Sequence, residues 1–306
     1  MEKQLRERLT GPERKTKTVD KIISNLKSIY YNLGHTGEFQ NLQFLNDFGA
    51  VQKAMSAYTL RSFKTYVASA GVALEAMGDS NRSKDYLQHL KRLRESIDEE
   101  DNSNVATAKQ AEKMVGYDEI VKARDAMAEK LKSYTKPNKK QYQDIQAYML
   151  LCFNTMCNTV MRNQEFCKMQ IVNEWDPSMS QEVNYYLPKY NLMYIFQYKT
   201  AKTYGKQTIL LSDELGDILR GCLAKRPPEY GSQHGSPFLI MENGKALTLL
   251  QNLYKRGGLP TVSPTIMRNI MATHRSGPAL VAVKNVMENS KDFGHSVSQH
   301  LRYIRK

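Results

Sequence analysis

The chain has 306 residues, with 44 Lys or Arg against 31 Asp or Glu, and its formal charge is +13 at pH 7. That length favours two domains, and the excess positive charge favours a polyanionic partner, either nucleic acid or an anionic membrane surface. Because no apolar run approaches the roughly 20 residues that span a bilayer, we expect no membrane partner.

Residues 1–8 carry charges where a secretory signal needs an apolar stretch, which predicts an intracellular protein. The four cysteines form no CxxC pair, and no paired histidines lie at zinc-ligand spacing. We therefore predict reduced cysteines in the core and no metal site. The chain also lacks the GxxxxGK[ST], GxGxxG, HExxH and GxSxG motifs, so no nucleotide cofactor is expected.

The first hundred residues predict a small all-helical bundle, because apolar residues recur at helical spacing over 19–33, 58–74 and 86–93. Acidic residues then replace apolar ones over 97–104, which predicts an interdomain linker. We place the boundary near residue 108, so that residues 1–108 form the first domain and residues 109–306 the second.

The second domain mixes helices with a hairpin. Helical periodicity begins at Tyr117, stops near Pro137 and resumes over 142–160. Strand-like segments at 192–198 and 207–211 are joined by a turn that contains Gly205. Further helices close the chain. The fold class predicted for the whole chain is mainly α with a small β-sheet.

Several side chains of the second domain suit chemistry on a phosphodiester. Cations stabilise the charge-rich transition state, and the planar fork of arginine binds two phosphate oxygens at once. A tyrosine can serve as the nucleophile and conserve the bond energy in a covalent phosphotyrosine. The candidate residues are Arg162, Lys199, Arg268, His295 and Tyr303.

The contexts of these residues carry a family resemblance. Arg162 begins an Arg-x-x-Glu pattern, Lys199 precedes the hairpin turn, and Arg268 begins Arg-Asn-Ile-Met-Ala-Thr-His. His295 stands in Gly-His-Ser, and Tyr303 is the only tyrosine after Arg268. In order and spacing they resemble the catalytic signature of the tyrosine recombinases, the phage-integrase family. The resemblance implies a helical, SAM-like core-binding domain followed by an α+β catalytic domain.

The resemblance also implies a role for each candidate residue. Arg162 and Arg268 would hold the scissile phosphate, and His295 would add a hydrogen bond to it. Lys199 would protonate the departing 5′ oxygen, and Tyr303 would form a 3′-phosphotyrosine without metal or ATP. Glu165 would support Arg162 structurally.

Two features of the signature stay open. Lys202 and Lys206 share the hairpin turn with Lys199, so the general acid could be one of them. Thr265 stands where the family usually has a histidine, three residues before Arg268. Threonine can donate a hydrogen bond but cannot act as a base near neutral pH. His274 occupies the position of a non-catalytic family histidine, for which packing or capping is expected.

The resemblance implies a site-specific recombinase, the integrase of a virus or mobile element. It would work as a homotetramer on two double-stranded DNA sites and stay with its DNA in the cell. A type IB topoisomerase-like enzyme and a DNA-binding protein that has lost catalysis are the alternatives. The basic residues over 91–94 are either a phosphate-contacting face or a solvated one.

Overall fold

The computed structural model describes residues 1–10, 16–102, 111–157, 159, 161–231 and 233–277. These residues are mostly helical and include a four-stranded mixed sheet, which confirms the predicted mainly α class with a small sheet. The chain divides into two compact units, Met1–Ala106 and Thr107–Lys306. Residues 103–110 lie outside the described part, so the boundary at 108 stays a prediction. Within the described ranges, every helix is too short or too polar to cross a membrane.

The first unit is a helical bundle in which the second, fourth and fifth helices carry most of the buried apolar residues. Its polar interior is satisfied, since buried Asn25 donates to the Ser69 hydroxyl at 2.8 Å. The three predicted helices are confirmed, and two shorter ones were not predicted. The bounds are α1 Glu2–Leu9, α2 Thr16–Asn32, α3 Phe48–Ala54, α4 Leu60–Ala76 and α5 Ser80–Asn102.

The linker predicted from Ile97 is wrong at its start, because α5 continues to Asn102. Ile97 is 3 % exposed and lies one helical turn after Leu93, so it extends the buried face of the helix. Glu100 pairs with Arg61 of α4 at 3.4 Å. Asp98, Glu99 and Glu100 therefore occupy the solvent face of a helix. The basic residues of 91–94 are exposed on the same helix.

The second unit is built around one nearly fully buried helix, α7, which packs on α6, α10 and α11. A capping box starts α7, since the side chains of Asn138 and Gln141 each accept from the other's backbone N–H at 2.9 Å. The bounds are α6 Tyr117–Leu131, α7 Lys139–Met156, α8 Asn163–Cys167, α9 Ala201–Tyr204, α10 Asp213–Ala224 and α11 Gln251–Arg256, and residues 264–277 form α12.

The predicted end of α7 at residue 160 is wrong, because the helix ends at Met156. Cys157 has an extended backbone, with φ −94° and ψ 138°. Its carbonyl oxygen accepts a hydrogen bond from Arg275 of α12 at 2.5 Å. This contact to α12 takes up the carbonyl at the point where the helix stops.

The sheet has strands β1 Met169–Ile171, β2 Asn184–Leu187, β3 Leu192–Ile195 and β4 Gln207–Leu210 in that spatial order. β1 and β2 are parallel, and the other neighbours are antiparallel. The predicted hairpin is confirmed as β3 and β4, although α9 lies between them. The strand predicted over 192–198 would end directly before Lys199, but β3 stops at Ile195, so Lys199 lies in a loop. The side chain of Asn184 accepts from the N–H groups of Phe196 and Gln197, which takes the place of a strand partner.

Asp144 joins three elements in the second unit. Its carboxylate is 5 % exposed and accepts from Tyr134 Oη at 2.7 Å, from Lys130 Nζ at 2.9 Å and from Arg256 Nε. Burial alone raises the pKa of Asp144. The hydrogen bonds from Lys130, Tyr134 and Arg256 and the charge of Arg256 lower the pKa by more than burial raises it, so the net pKa is below its ordinary value. This network fastens α6 and α11 to the central helix.

Asp144→Ala should reduce the free energy of unfolding of this unit by about 3 kcal/mol at pH 7, because it leaves Arg256 and Lys130 without their carboxylate. Since the folded pKa is depressed, the contribution is present above the unfolded pKa of about 3.9 and is lost as the pH falls through the folded value. Urea unfolding followed by the fluorescence of Trp175, the single tryptophan, measures it. A gap between wild type and variant that stays constant from pH 7 down to about pH 2 would contradict the ionic origin.

Candidate active site

An open cavity of about 560 Å³ lies among the starts of α8, α11 and α12 and the loop after β3. Three of the five candidate catalytic residues, Arg162, Lys199 and Arg268, line it together. Its lining residues are Arg162, Asn163, Gln164, Lys199, Leu249, Gln251, Pro264, Thr265 and Arg268. His295 and Tyr303 lie outside the described residues.

The three cations come from three separate elements. Arg162 directly precedes α8, Lys199 lies in the loop between β3 and α9, and Arg268 lies in α12. The two arginines are half-buried and Lys199 is exposed. No carboxylate is among the described lining residues, and within the described part of the chain no hydrogen bond or ion pair occupies these three side chains. The Glu165 carboxyl, on which the charges of Arg162 and Arg268 act, is not among the lining residues. Three cations and no described carboxylate therefore line the cavity, which favours a bound anion.

The start of α8 holds the backbone of Arg162. Glu165 is 8 % exposed, and its Oε2 accepts from the backbone N–H of Arg162 at 2.5 Å. Burial raises the pKa of Glu165, while the Arg162 N–H and the charges of Arg162 and Arg268 partly offset that effect. The carboxylate thus supports the Arg162 backbone and leaves the guanidinium free to meet a ligand.

Asn163 joins α8 to the opposite side of the cavity. Its Nδ2 donates to the carbonyl oxygen of Thr248 at 2.8 Å, and its Oδ1 accepts from the backbone N–H of Leu250 at 2.7 Å. Leu249 and Gln251, on either side of Leu250, line the cavity. Sequence analysis missed these residues, because a contact across 85 positions leaves no local pattern.

The start of α12 presents two side chains to the cavity. The Ser263 hydroxyl accepts from the N–H of Ile266 at 3.3 Å, which caps the helix ahead of Pro264. Thr265 and Arg268 are three residues apart and therefore lie on one helix face. The opposite face is anchored in the core by buried apolar residues, namely Ile266, Met267, Ile270 and Met271.

Only one of the three hairpin lysines lines this cavity. Lys199 does so, whereas Lys202 is exposed on α9 and is not among the lining residues. Lys206 Nζ lies 4.4 Å from the ring centroid of Tyr194 and 4.9 Å from that of Trp175. Because this cation–π contact occupies Lys206, Lys199 is the one of these three lysines that is placed to meet a ligand in the cavity.

The histidine pattern of the cavity departs from the family signature, as the sequence indicates. Thr265 lines the wall, and the described lining residues include no histidine. His274 stacks on the ring of Tyr117, with a centroid distance of 3.6 Å, which is a packing contact. The described lining therefore offers hydrogen-bond donors and cations but no imidazole.

The four cysteines are not among the residues that line the cavity. Cys152, Cys157 and Cys222 are buried, Cys167 is half-buried, and all four are free thiols. Burial raises the pKa of Cys152 and Cys167 to about 11 and that of Cys222 to about 12, so the reactive thiolate is disfavoured. The described residues contain no cluster of three or more His, Cys, Asp or Glu side chains that could hold a metal ion.

Comparison with known proteins identifies no family. No family model matches the chain, and no curated protein sequence matches it. Among solved structures, the crystal structure of XerA recombinase aligns with 100 % of this chain and 92 % of its own, at 12 % sequence identity and a TM-score of 0.34.

Proposed function

We propose that the protein breaks and rejoins DNA strands through a covalent phosphotyrosine, as a site-specific recombinase. The observation that carries the proposal is that Arg162, Lys199 and Arg268 line one cavity whose described lining contains no carboxylate. A phosphodiester has one negative charge, which grows as a nucleophile adds to phosphorus. Cations that are not already paired stabilise that added charge more than they stabilise the substrate.

In the proposed reaction, Tyr303 gives its phenolic proton to water as its Oη attacks the scissile phosphorus, the new P–O bond forms, and the bond to the 5′ oxygen breaks. Arg162 and Arg268 bind the non-bridging oxygens, and His295 donates a hydrogen bond to the same phosphate. Lys199 gives a proton to the departing 5′ oxygen. The reverse step, with the 5′ hydroxyl of a partner duplex as nucleophile, exchanges the strands and releases Tyr303 without ATP or metal.

Double-stranded DNA is the partner that this proposal requires. The finer proposals are that residues 1–108 form a helical core-binding domain, that a homotetramer joins two DNA sites, and that the protein is the integrase of a virus or mobile element. The +13 formal charge of the chain supports DNA as the partner. A synaptic complex with four protomers and two duplexes, measured by light scattering, is the expected assembly.

Thr265 favours a second candidate, a sequence-specific DNA-binding protein without catalysis. Threonine in place of a histidine removes one proton-transfer group from the cavity, whereas cations alone suffice to bind a phosphate. This candidate predicts tight binding to a preferred site and no covalent product. A topoisomerase-like enzyme would instead form the covalent product and relax supercoiled DNA without a partner site.

A nicked duplex that traps the cleaved strand tests the proposal, with DNA taken from genomic fragments that the protein binds specifically. Wild-type protein should form a covalent adduct on a denaturing gel without metal or ATP, and Tyr303→Phe should form none. Tyr204→Phe, which removes the hydroxyl of a 71 % exposed tyrosine outside the cavity, is the matched control and should keep the adduct. An adduct that survives in Tyr303→Phe would exclude this nucleophile, and tight binding without adduct would establish the second candidate.

A further inference from the structure

Asn163 lines the cavity, and both the donor and the acceptor of its side-chain amide bond to the protein backbone. Asn163 donates to the carbonyl oxygen of Thr248 and accepts from the N–H of Leu250, at 2.8 and 2.7 Å. Both partners are backbone atoms. The carboxamide therefore bridges two chain segments in the way that a strand partner does, although neither segment is a strand.

The bridged segment is exposed at Thr248 and Leu249 and buried at Leu250. Leu250 is fully buried and precedes α11, whereas Leu249 is 57 % exposed and Thr248 is also exposed. The N–H of Leu250 is one of the groups at a helix start that has no partner within the helix. Asn163 supplies that partner and thereby holds Leu249 and Gln251 at a set distance from the start of α8.

Arg162 is thereby held on two sides. Its own N–H donates to the buried carboxylate of Glu165 at 2.5 Å, and the next residue is tied across the cavity. The peptide group between Arg162 and Asn163 has little freedom to rotate. The guanidinium, which has no described partner, starts from a fixed backbone position.

We propose that Asn163 is a positioning residue that sets the distance between Arg162 and the wall formed by Leu249 and Gln251, so that Arg162 and Arg268 meet the same phosphate. This inference rests on the proposed function, because it assigns Asn163 to the cleavage step. DNA affinity is shared among many phosphate contacts, whereas the reaction depends on the placement of a few atoms. Loss of Asn163 should therefore slow cleavage more than it weakens binding.

The test compares Asn163→Leu, which keeps the size but removes both hydrogen bonds, with Asn252→Leu. Asn252 is exposed on α11 and does not line the cavity, so it receives the same chemical change without the bridge. At saturating nicked duplex, Asn163→Leu should cleave about 100-fold more slowly, the effect of a misplacement of about 1 Å. Its Kd for the duplex should stay at the value of Asn252→Leu, and its Tm should fall by only about 2–4 °C, the effect of roughly 1 kcal/mol for the lost partner at the start of α11.

A second readout does not depend on cleavage. Phenylglyoxal modifies arginine side chains, and mass spectrometry reports the modification of Arg162 and Arg268 separately. Inorganic phosphate should protect both arginines in wild-type protein and in Asn252→Leu. In Asn163→Leu, protection of Arg162 should be lost while that of Arg268 is retained.

The outcomes separate this inference from the proposed function. If wild-type protein forms no adduct, the proposed function fails, and the protection of Arg162 still decides the role of Asn163. Wild-type protection of Arg162 in Asn163→Leu would overturn the inference. Equal loss at both arginines together with a Tm lowered by more than about 4 °C would also overturn it, because Asn163 would then support the fold and not the position of Arg162.

Discussion

Arg268→Ala should lower the single-turnover rate of DNA cleavage by about a thousandfold, the loss expected when a preorganised donor to a charged transition state is removed. Arg268 lines the cavity from α12, and the described lining residues include no carboxylate. The neighbouring buried residues, Ile266, Met267 and Ile270, keep the helix in place. The variant should therefore fold normally, and quench-flow with the nicked duplex should report a defect in the chemical step.

Arg268→Lys separates the two properties of the side chain. Lysine keeps the positive charge but loses the planar fork that binds two phosphate oxygens. Its cleavage rate should fall between those of wild type and Arg268→Ala, while DNA binding stays close to wild type. A wild-type cleavage rate in Arg268→Ala would remove this arginine from the site and with it the main support for the proposal.

Lys199→Met should slow cleavage by about 10²- to 10⁴-fold, the usual contribution of a general acid, whereas Lys202→Met should leave the rate unchanged. The two lysines lie three positions apart near the same turn, but only Lys199 lines the cavity. Lys202→Met is thus a matched control for the loss of one positive charge. If the defect follows Lys202 instead, the assignment of the acid is wrong.

A substrate with sulphur at the 5′ bridging position decides whether Lys199 acts as an acid or only as a cation. A thiolate leaves without protonation, since the pKa of a thiol is about 8.5 and far below that of an alcohol. With this substrate, Lys199→Met should cleave at nearly the wild-type rate, and Arg268→Ala should stay slow. A persistent defect in Lys199→Met would show that Lys199 contributes charge alone.

Local periodicity accounts for the elements that were predicted correctly. The long helices α2, α4 and α5 each bury one face, so their apolar residues recur at helical spacing. β1 was missed because it has only three residues, and β2 was missed because all four of its residues are buried and therefore show no alternation. The acidic part of α5 was misassigned because charge dominated the pattern, although Ile97 continued the buried face.

Residue chemistry and order, read from the sequence alone, determined the candidate set of cations and the nucleophile. Arg162, Lys199 and Arg268 were named from their local motifs, and the roles of His295 and Tyr303 stay predictions. Tertiary structure decided that three of these side chains share one cavity, and that Lys199 and not Lys202 faces it. It alone placed Asn163 against Thr248 and Leu250. Such contacts join segments far apart in the chain, and they form only when the core of the second unit packs, so no local pattern records them.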